Sequence, residues 1–221
     1  MNGSDPDGPR GGSEASDAGA DGSLDTETPG VGEPIVESSV ASAAASAPAV
    51  VDATVEGLDR ASRPDRVSSV LVAVGPGPHS AATVDFARNV AERTDAWLEL
   101  FHVVPSADAL ADGAPAVDTD ARGDGPRTGD EYAAHGEGLL SAAQDRLGSF
   151  ERADRWLVED RSAAGAIVEQ SPYYDLVVIG APTTGTVGRF VFGSTTDTVI
   201  DEAAVPVVVV EGDGSTVLRA D

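Results

Sequence analysis

The chain of 221 residues has no cysteine and no lysine. Without cysteine there is no disulfide framework, iron–sulfur cluster or thiolate metal site. The three histidines, His79, His102 and His135, are too widely spread to read as a metal-binding run. Lysine is required by the Gly-x-x-x-x-Gly-Lys phosphate loop, so a P-loop nucleotidase is excluded. Gly-x-Ser-x-Gly, the nucleophile elbow of serine hydrolases, is also missing. No apolar run approaches the roughly 18 residues that read as a bilayer span. The first residues carry no basic stretch followed by an apolar core, so they do not read as a secretory leader. A soluble cytoplasmic protein is expected, without membrane insertion.

Cations are scarce. All 14 basic residues are arginine, against 38 acidic residues, for a net charge of -24. Such a surface repels nucleic acid, whose phosphates need a basic face. Carboxylate crowding in the absence of lysine instead suits a molar-salt interior, where repulsion is screened within a few Å and hydration must be kept. The composition therefore reads as that of a halophile's protein.

The chain divides by composition. Residues 1–63 are dominated by Gly, Ser, Ala, Asp, Glu and Pro and hold no aromatic residue. They are expected to form a disordered acidic tail, because so little apolar surface cannot offset ordering entropy. Residues 64–213 alternate strand and helix signals, the pattern of an α/β fold with a parallel sheet. Strands are expected at 70–74, 97–104, 155–158, 175–179 and 205–210. Helices are expected at 81–93, 131–150, 162–170 and 196–204, the first with Ala82, Phe86 and Val90 inward and the second with Leu139, Leu140, Ala143 and Leu147 inward. Residues 105–130 read as a long loop, and 214–221 as a flexible C-terminus.

The richest stretch follows the fourth of these strands. From Gly180 through Ala181, Pro182 and Thr183 to Gly193, Ser194, Thr195 and Thr196, a glycine-rich turn joins a buried strand to a helix start. Such a turn directs free backbone N–H groups and the positive end of a helix dipole toward one place, a candidate anion cradle. Arg189 is the cation inside it, and Ser194 and Thr195 can cap the helix as well as donate to phosphate. The turn after the first strand, Gly75 to Ser80, lacks the third glycine of a dinucleotide fingerprint. The second strand also ends in Phe101, His102 and Val103 rather than an acidic residue for ribose, which argues against a nicotinamide dehydrogenase. His102 reads as a core or rim histidine, and His79 and His135 as surface residues.

The spacing of Gly180, Thr183, Gly193 and Ser194 resembles the universal stress protein family, whose fourth strand ends in Gly-x-x-Gly, nine residues and Gly-Ser/Thr. The resemblance spans Val67 to about Gly212. It implies a doubly wound, five-stranded parallel sheet of order 3-2-1-4-5, as in adenine nucleotide alpha hydrolase-like folds, with a ligand crevice where the order reverses. It implies nucleoside contacts at Ala73, Val74, Gly75 and Val104, and phosphate contacts at Gly180, Thr183, Gly193, Ser194, Thr195 and Thr196. Two positions depart: Thr183 stands where the family has glycine, and Gly75 where nucleotide-binding members have aspartate. The resemblance further implies a homodimer through the edge strand Pro206 to Val210. Two functions follow from it. One is a regulatory domain acting through dimerisation or a protein partner, such as a transporter, with no required cofactor and little nucleotide binding. The other is a sensor of ATP, with Mg, or of AMP. Neither is an enzyme, although weak ATP hydrolysis stays open.

Overall fold

The computed structural model describes residues 35–62, 64–112, 128–182 and 194–220, the side chains of Ile35 and Ser194 excepted. The chain divides into two units, Met1–Gly32 and Glu33–Asp221. The first unit lies outside the described residues, as do residues 113–127 of the expected long loop and residues 183–193 of the glycine-rich turn.

In chain order the second unit runs α1 (Ile35–Ala44), β1 (Val50–Glu56), β2 (Ser69–Ala73), α2 (Ser80–Thr94), β3 (Trp97–Pro105), α3 (Ala107–Ala111), α4 (Gly129–Leu147) and β4 (Ala153–Asp160). It continues with α5 (Ala163–Gln170), a 3-10 turn (Ser171–Tyr173), β5 (Leu176–Gly180), α6 (Ser194–Glu202) and β6 (Val207–Gly212). One sheet carries all six strands in the order β1-β6-β5-β2-β3-β4. The pairs β2–β3, β2–β5, β3–β4 and β5–β6 are parallel, and β1 pairs antiparallel with β6.

Alternation along the inner strands builds two cores. Val70, Val72, Leu98, Leu100, Leu176, Val178, Val208 and Val210 join the inward residues of α1, α2 and α4. Leu71, Phe101, Val177, Ile179, Val207 and Val209 face the other way, against Ala164 and Ile167 of α5 and Val199 of α6. A strand buried on both faces reads as a continuous apolar run, which is why the short runs in the sequence were legible as parallel strands.

The helix ends follow from local chemistry. A reciprocal capping box starts α4: Thr128 N–H donates to Glu131 Oε2 at 2.6 Å and Glu131 N–H to Thr128 Oγ1 at 3.4 Å. Ser162 caps α5 by accepting from Gly165 N–H at 3.2 Å. Asp95 ends α2 in the left-handed region, φ 60°, with its N–H on Ala91 O. Pro172 sits within the 3-10 turn, Ser171–Tyr173, that follows α5.

Five expectations are corrected. The sheet has six strands in mixed orientation, not five parallel strands alone in the order 3-2-1-4-5: the parallel strands run β4-β3-β2-β5-β6, and β1 adds an antiparallel sixth beside β6. The sixth strand comes from the stretch expected to be a disordered tail. Val36, Val40 and Ala43 fall at helical spacing and are 3 %, 3 % and 0 % exposed against α2, while Ala53 and Val55 of β1 pack on the same core. Beyond β1, the Arg60 guanidinium donates to the carbonyls of Ile200 and Ala203 at the C-terminal end of α6. Consequently β6 is not an edge, and Pro206 to Val210 offers no free backbone for a two-fold contact. The C-terminus is anchored rather than flexible: Leu218 is buried, its N–H bonds Ser80 Oγ at 3.0 Å, and Ala220 packs against Gly138 of α4. Finally, α3 forms within the stretch 105–130 expected to be a loop, with Ser106 as its cap.

A carboxylate placed at Val40 would be buried without a partner, at a cost on the order of 3 kcal/mol. The melting temperature of Val40→Asp should then fall by about 6–12 °C, at roughly 2–4 °C per kcal/mol for a chain of this size. A scanning-calorimetry shift below about 1 °C would show that α1 is not docked.

Candidate functional site

Strand β2 lies between β3 and β5, so the chain winds outward in both directions from it. Parallel strands whose crossovers diverge in this way leave a crevice at their C-terminal ends. There the structure has a cleft of about 720 Å³, floored by Ala73, Val74 and Gly75 after β2, Val103 and Val104 of β3, and Ile179 and Gly180 of β5. Its volume falls in the range of small-molecule sites. Apolar walls come from Phe101, Ile167 and Val199, and its polar rim from Asp160, Arg161 and Ser162 after β4, and from Thr195 and Thr196 of α6.

Most of the expected site residues can be placed. Ala73, Val74, Gly75, Val104, Gly180, Thr195 and Thr196 all line this one cleft. Ser194 begins α6, its side chain being outside the description, and Thr183 and Gly193 fall outside the described residues. Val74 is already engaged on both sides: its N–H donates to Phe101 O at 2.8 Å, and His102 Nδ1 lies 2.6 Å from its carbonyl. Gly75 faces open space, with nothing within 4 Å of a Cβ built there. Gly180 is tighter, since a Cβ would lie 3.2 Å from Thr83 Oγ1. Glycine there lets β5 approach the first turn of α2.

The start of α2 is held from several sides. Ser80 Oγ donates to Gly77 O at 2.7 Å, and Thr83 Oγ1 to His79 O at 2.8 Å. His79 Nδ1 accepts from Gly212 N–H at 2.9 Å, which ties the turn to the end of β6. Hydroxyls spent this way fix the cleft wall rather than offering themselves to a ligand.

The charge of the cleft differs from that of the protein. All three histidines line it, together with Arg161, against the carboxylate of Asp160. Asp160 Oδ1 accepts from Ser162 N–H at 3.0 Å, and Arg161 is ion-paired with Asp112. In a chain of net charge -24 this is a place where an anion meets little repulsion. Among the described residues there is no cluster of three or more histidines and carboxylates that could hold a metal, and no helix long and apolar enough to cross a membrane.

The model of the universal stress protein family matches residues 67–211. The chain belongs to the universal stress protein family. No curated protein sequence matches it. Among solved structures, the universal stress protein UspA from Lactobacillus plantarum is similar at 23 % identity and TM-score 0.50, over 66 % of this chain and 99 % of that one. A universal stress protein from Archaeoglobus fulgidus is similar at 20 % identity and TM-score 0.49, over 66 % and 94 %. Another structure from that organism, a complex with dAMP, aligns at 20 % identity and TM-score 0.47, over 65 % and 97 %. These likenesses concern the fold.

Relative to the family pattern, sequence reasoning missed one wall of the cleft and two of its histidines. The third parallel strand runs to Asp160, two residues past its expected end, and carries Arg161 and Ser162 to the rim. Extending every parallel strand to its C-terminal end, where ligands of such sheets gather, would have found them. His79 and His135 were expected on the surface and instead line the cleft.

Gly136 sets how closely α4 lies on the cleft floor. A Cβ there would lie 2.6 Å from His102 Cδ2, 2.6 Å from Leu157 Cδ1 and 3.1 Å from Val104 Cγ1. Gly136→Ala should overpack this contact and cost about 1–3 kcal/mol despite alanine's better helix propensity. Unchanged or raised stability in a denaturant melt would contradict the packing described.

Proposed function

We propose that this chain is a non-enzymatic regulatory domain of the universal stress protein family, whose cleft takes an adenine nucleotide weakly and whose output passes through contact with another protein. The observation that carries this reading is Gly75. It lines the cleft at the end of β2, where the family's nucleotide-binding members have a carboxylate for the ribose hydroxyls, and a side chain there would meet open space. The cleft has the size and apolar walls for a nucleoside, and Thr195 and Thr196 line it at the start of α6, which supports a phosphate contact there. What it lacks at Gly75 is a charged acceptor, and losing one charge-assisted hydrogen bond costs about 1.5–3 kcal/mol. The cytoplasm of a halophile is the setting that the acidic, lysine-free composition supports.

The second reading, an ATP or AMP sensor, draws its support from the three histidines and Arg161 around the cleft. Titration calorimetry in molar potassium chloride separates the two. AMP and ATP, the latter with Mg, should bind the unaltered protein with Kd values on the order of 100 μM or poorer. Gly75→Asp should tighten AMP binding about tenfold or more. Its φ lies outside the left-handed region and no atom blocks the new side chain, so the variant should fold. Submicromolar binding to the unaltered protein would overturn the proposal in favour of the sensor.

A further inference from the structure

The chain is poor in aromatic residues, at 5 %, yet both of its tryptophans lie half-exposed, Trp97 at 44 % and Trp156 at 42 %. Side chains alternate along a strand, so Trp97, Glu99 and Phe101 of β3 share one face. Register pairs Glu99 with Asp154 and Phe101 with Trp156 across to β4, which is the outer strand of the sheet. Phe101 and Trp156 meet edge to face with ring centroids 5.5 Å apart. Phe101 also belongs to the core under α5. The tryptophans and carboxylates therefore stand on the α5 side of the sheet. At eight residues, about 12 Å, α5 is too short to cover them.

Two carboxylates directly opposite each other on neighbouring strands repel. Here the repulsion is not relieved from within: no arginine is paired with Glu99 or Asp154 among the described residues. Arg155, next to Asp154 in β4, falls on the opposite face of the strand, and Arg152 is turned to Asp95 at 3.3 Å, to the carbonyls of Ala96 and Ala91, and to the ring of Phe150. Burial first, and Asp154 second, push the Glu99 carboxyl above the ordinary glutamate range. Burial and then Glu99 push the neighbouring Tyr174 phenol up to about 12. Burial is the larger cause of both shifts and the neighbouring negative charge the smaller.

We infer that the face formed by Trp97, Glu99, Asp154 and Trp156 is a docking surface for an arginine-bearing segment of a partner protein. A guanidinium is planar, stacks on an indole and offers a fork of N–H donors to carboxylates, so one group satisfies both features of this face. An ammonium has the charge without the plane. A second copy of the chain is disfavoured by its own charge of -24, and nucleic acid and anionic lipid by the same sign. Tryptophan and tyrosine also anchor protein interfaces out of proportion to their abundance. The inference deepens the reading of a domain that acts through another protein and rests on it.

The tryptophans make the test direct, since selectively excited tryptophan fluorescence reports from this face alone. The full chain is titrated in molar potassium chloride, where long-range attraction is screened, with a peptide of alternating arginine and glycine and with its lysine counterpart. The arginine peptide should give a saturable fluorescence change and bind at least threefold more tightly than the lysine peptide. Glu99→Gln with Asp154→Asn removes repulsion and should keep the fold, while binding weakens about tenfold or more. The same charge change on the opposite side of the sheet, Glu137→Gln with Asp145→Asn on α4, should leave binding unaltered. Three results would each overturn the inference: no saturable signal, equal affinity for the two peptides, or equal losses in the two double variants. No nucleotide takes part, so failure here leaves the weak-binding reading of the cleft standing.

Discussion

Strand β6 is the constraint on which the rest of this structure depends. Val207 to Val210 are apolar and buried on both faces of the sheet, so nothing but backbone hydrogen bonding remains to be settled, and both of its edges must be paired. On one side β5 supplies a parallel partner. On the other, β1 supplies an antiparallel one from the chain's own N-terminal stretch. Closing that edge within the molecule decides which surfaces are left for function: the cleft at the C-terminal ends of the parallel strands, and the far side of the sheet at β3 and β4.

The same closure organises the cleft. The end of β6 turns past α2, where Gly212 approaches Ala82 and donates to His79, and the chain then returns Leu218 to Ser80. The turn Gly75 to Ser80 is thus held by the C-terminal strand and its tail as well as by its own hydroxyls. The α2 wall of the crevice is thereby fixed by its own hydrogen bonds, while the polar groups at the end of β4 and the start of α6 line the opposite rim.

Much of this was legible in the sequence, for identifiable reasons. The inner strands announce themselves because burial on both faces leaves no polar position, and α2 and α4 because Phe86, Val90, Leu139 and Leu147 recur at helical spacing. The cleft residues after β2 and β5 follow from the sheet's winding. What was not legible depends on partners distant in sequence. Ala and Val at positions 36–55 look too sparse to order a chain, and become structural only when α2 and the bare edge of β6 are there to receive them. His79 and His135 are ordinary polar residues in their own segments, and only the crossing of α2 and α4 over the sheet brings them to one cleft with His102.

Native-state hydrogen exchange of the full chain tests the closed edge most directly. If β1 is an integral strand, the amides of Ala53 to Glu56 that pair with β6 should exchange as slowly as those of β6 itself, opening only with the whole domain. Exchange of β1 at the rate of an unfolded segment, with β6 still protected, would mean that the edge is covered by something other than this strand, and would contradict the account.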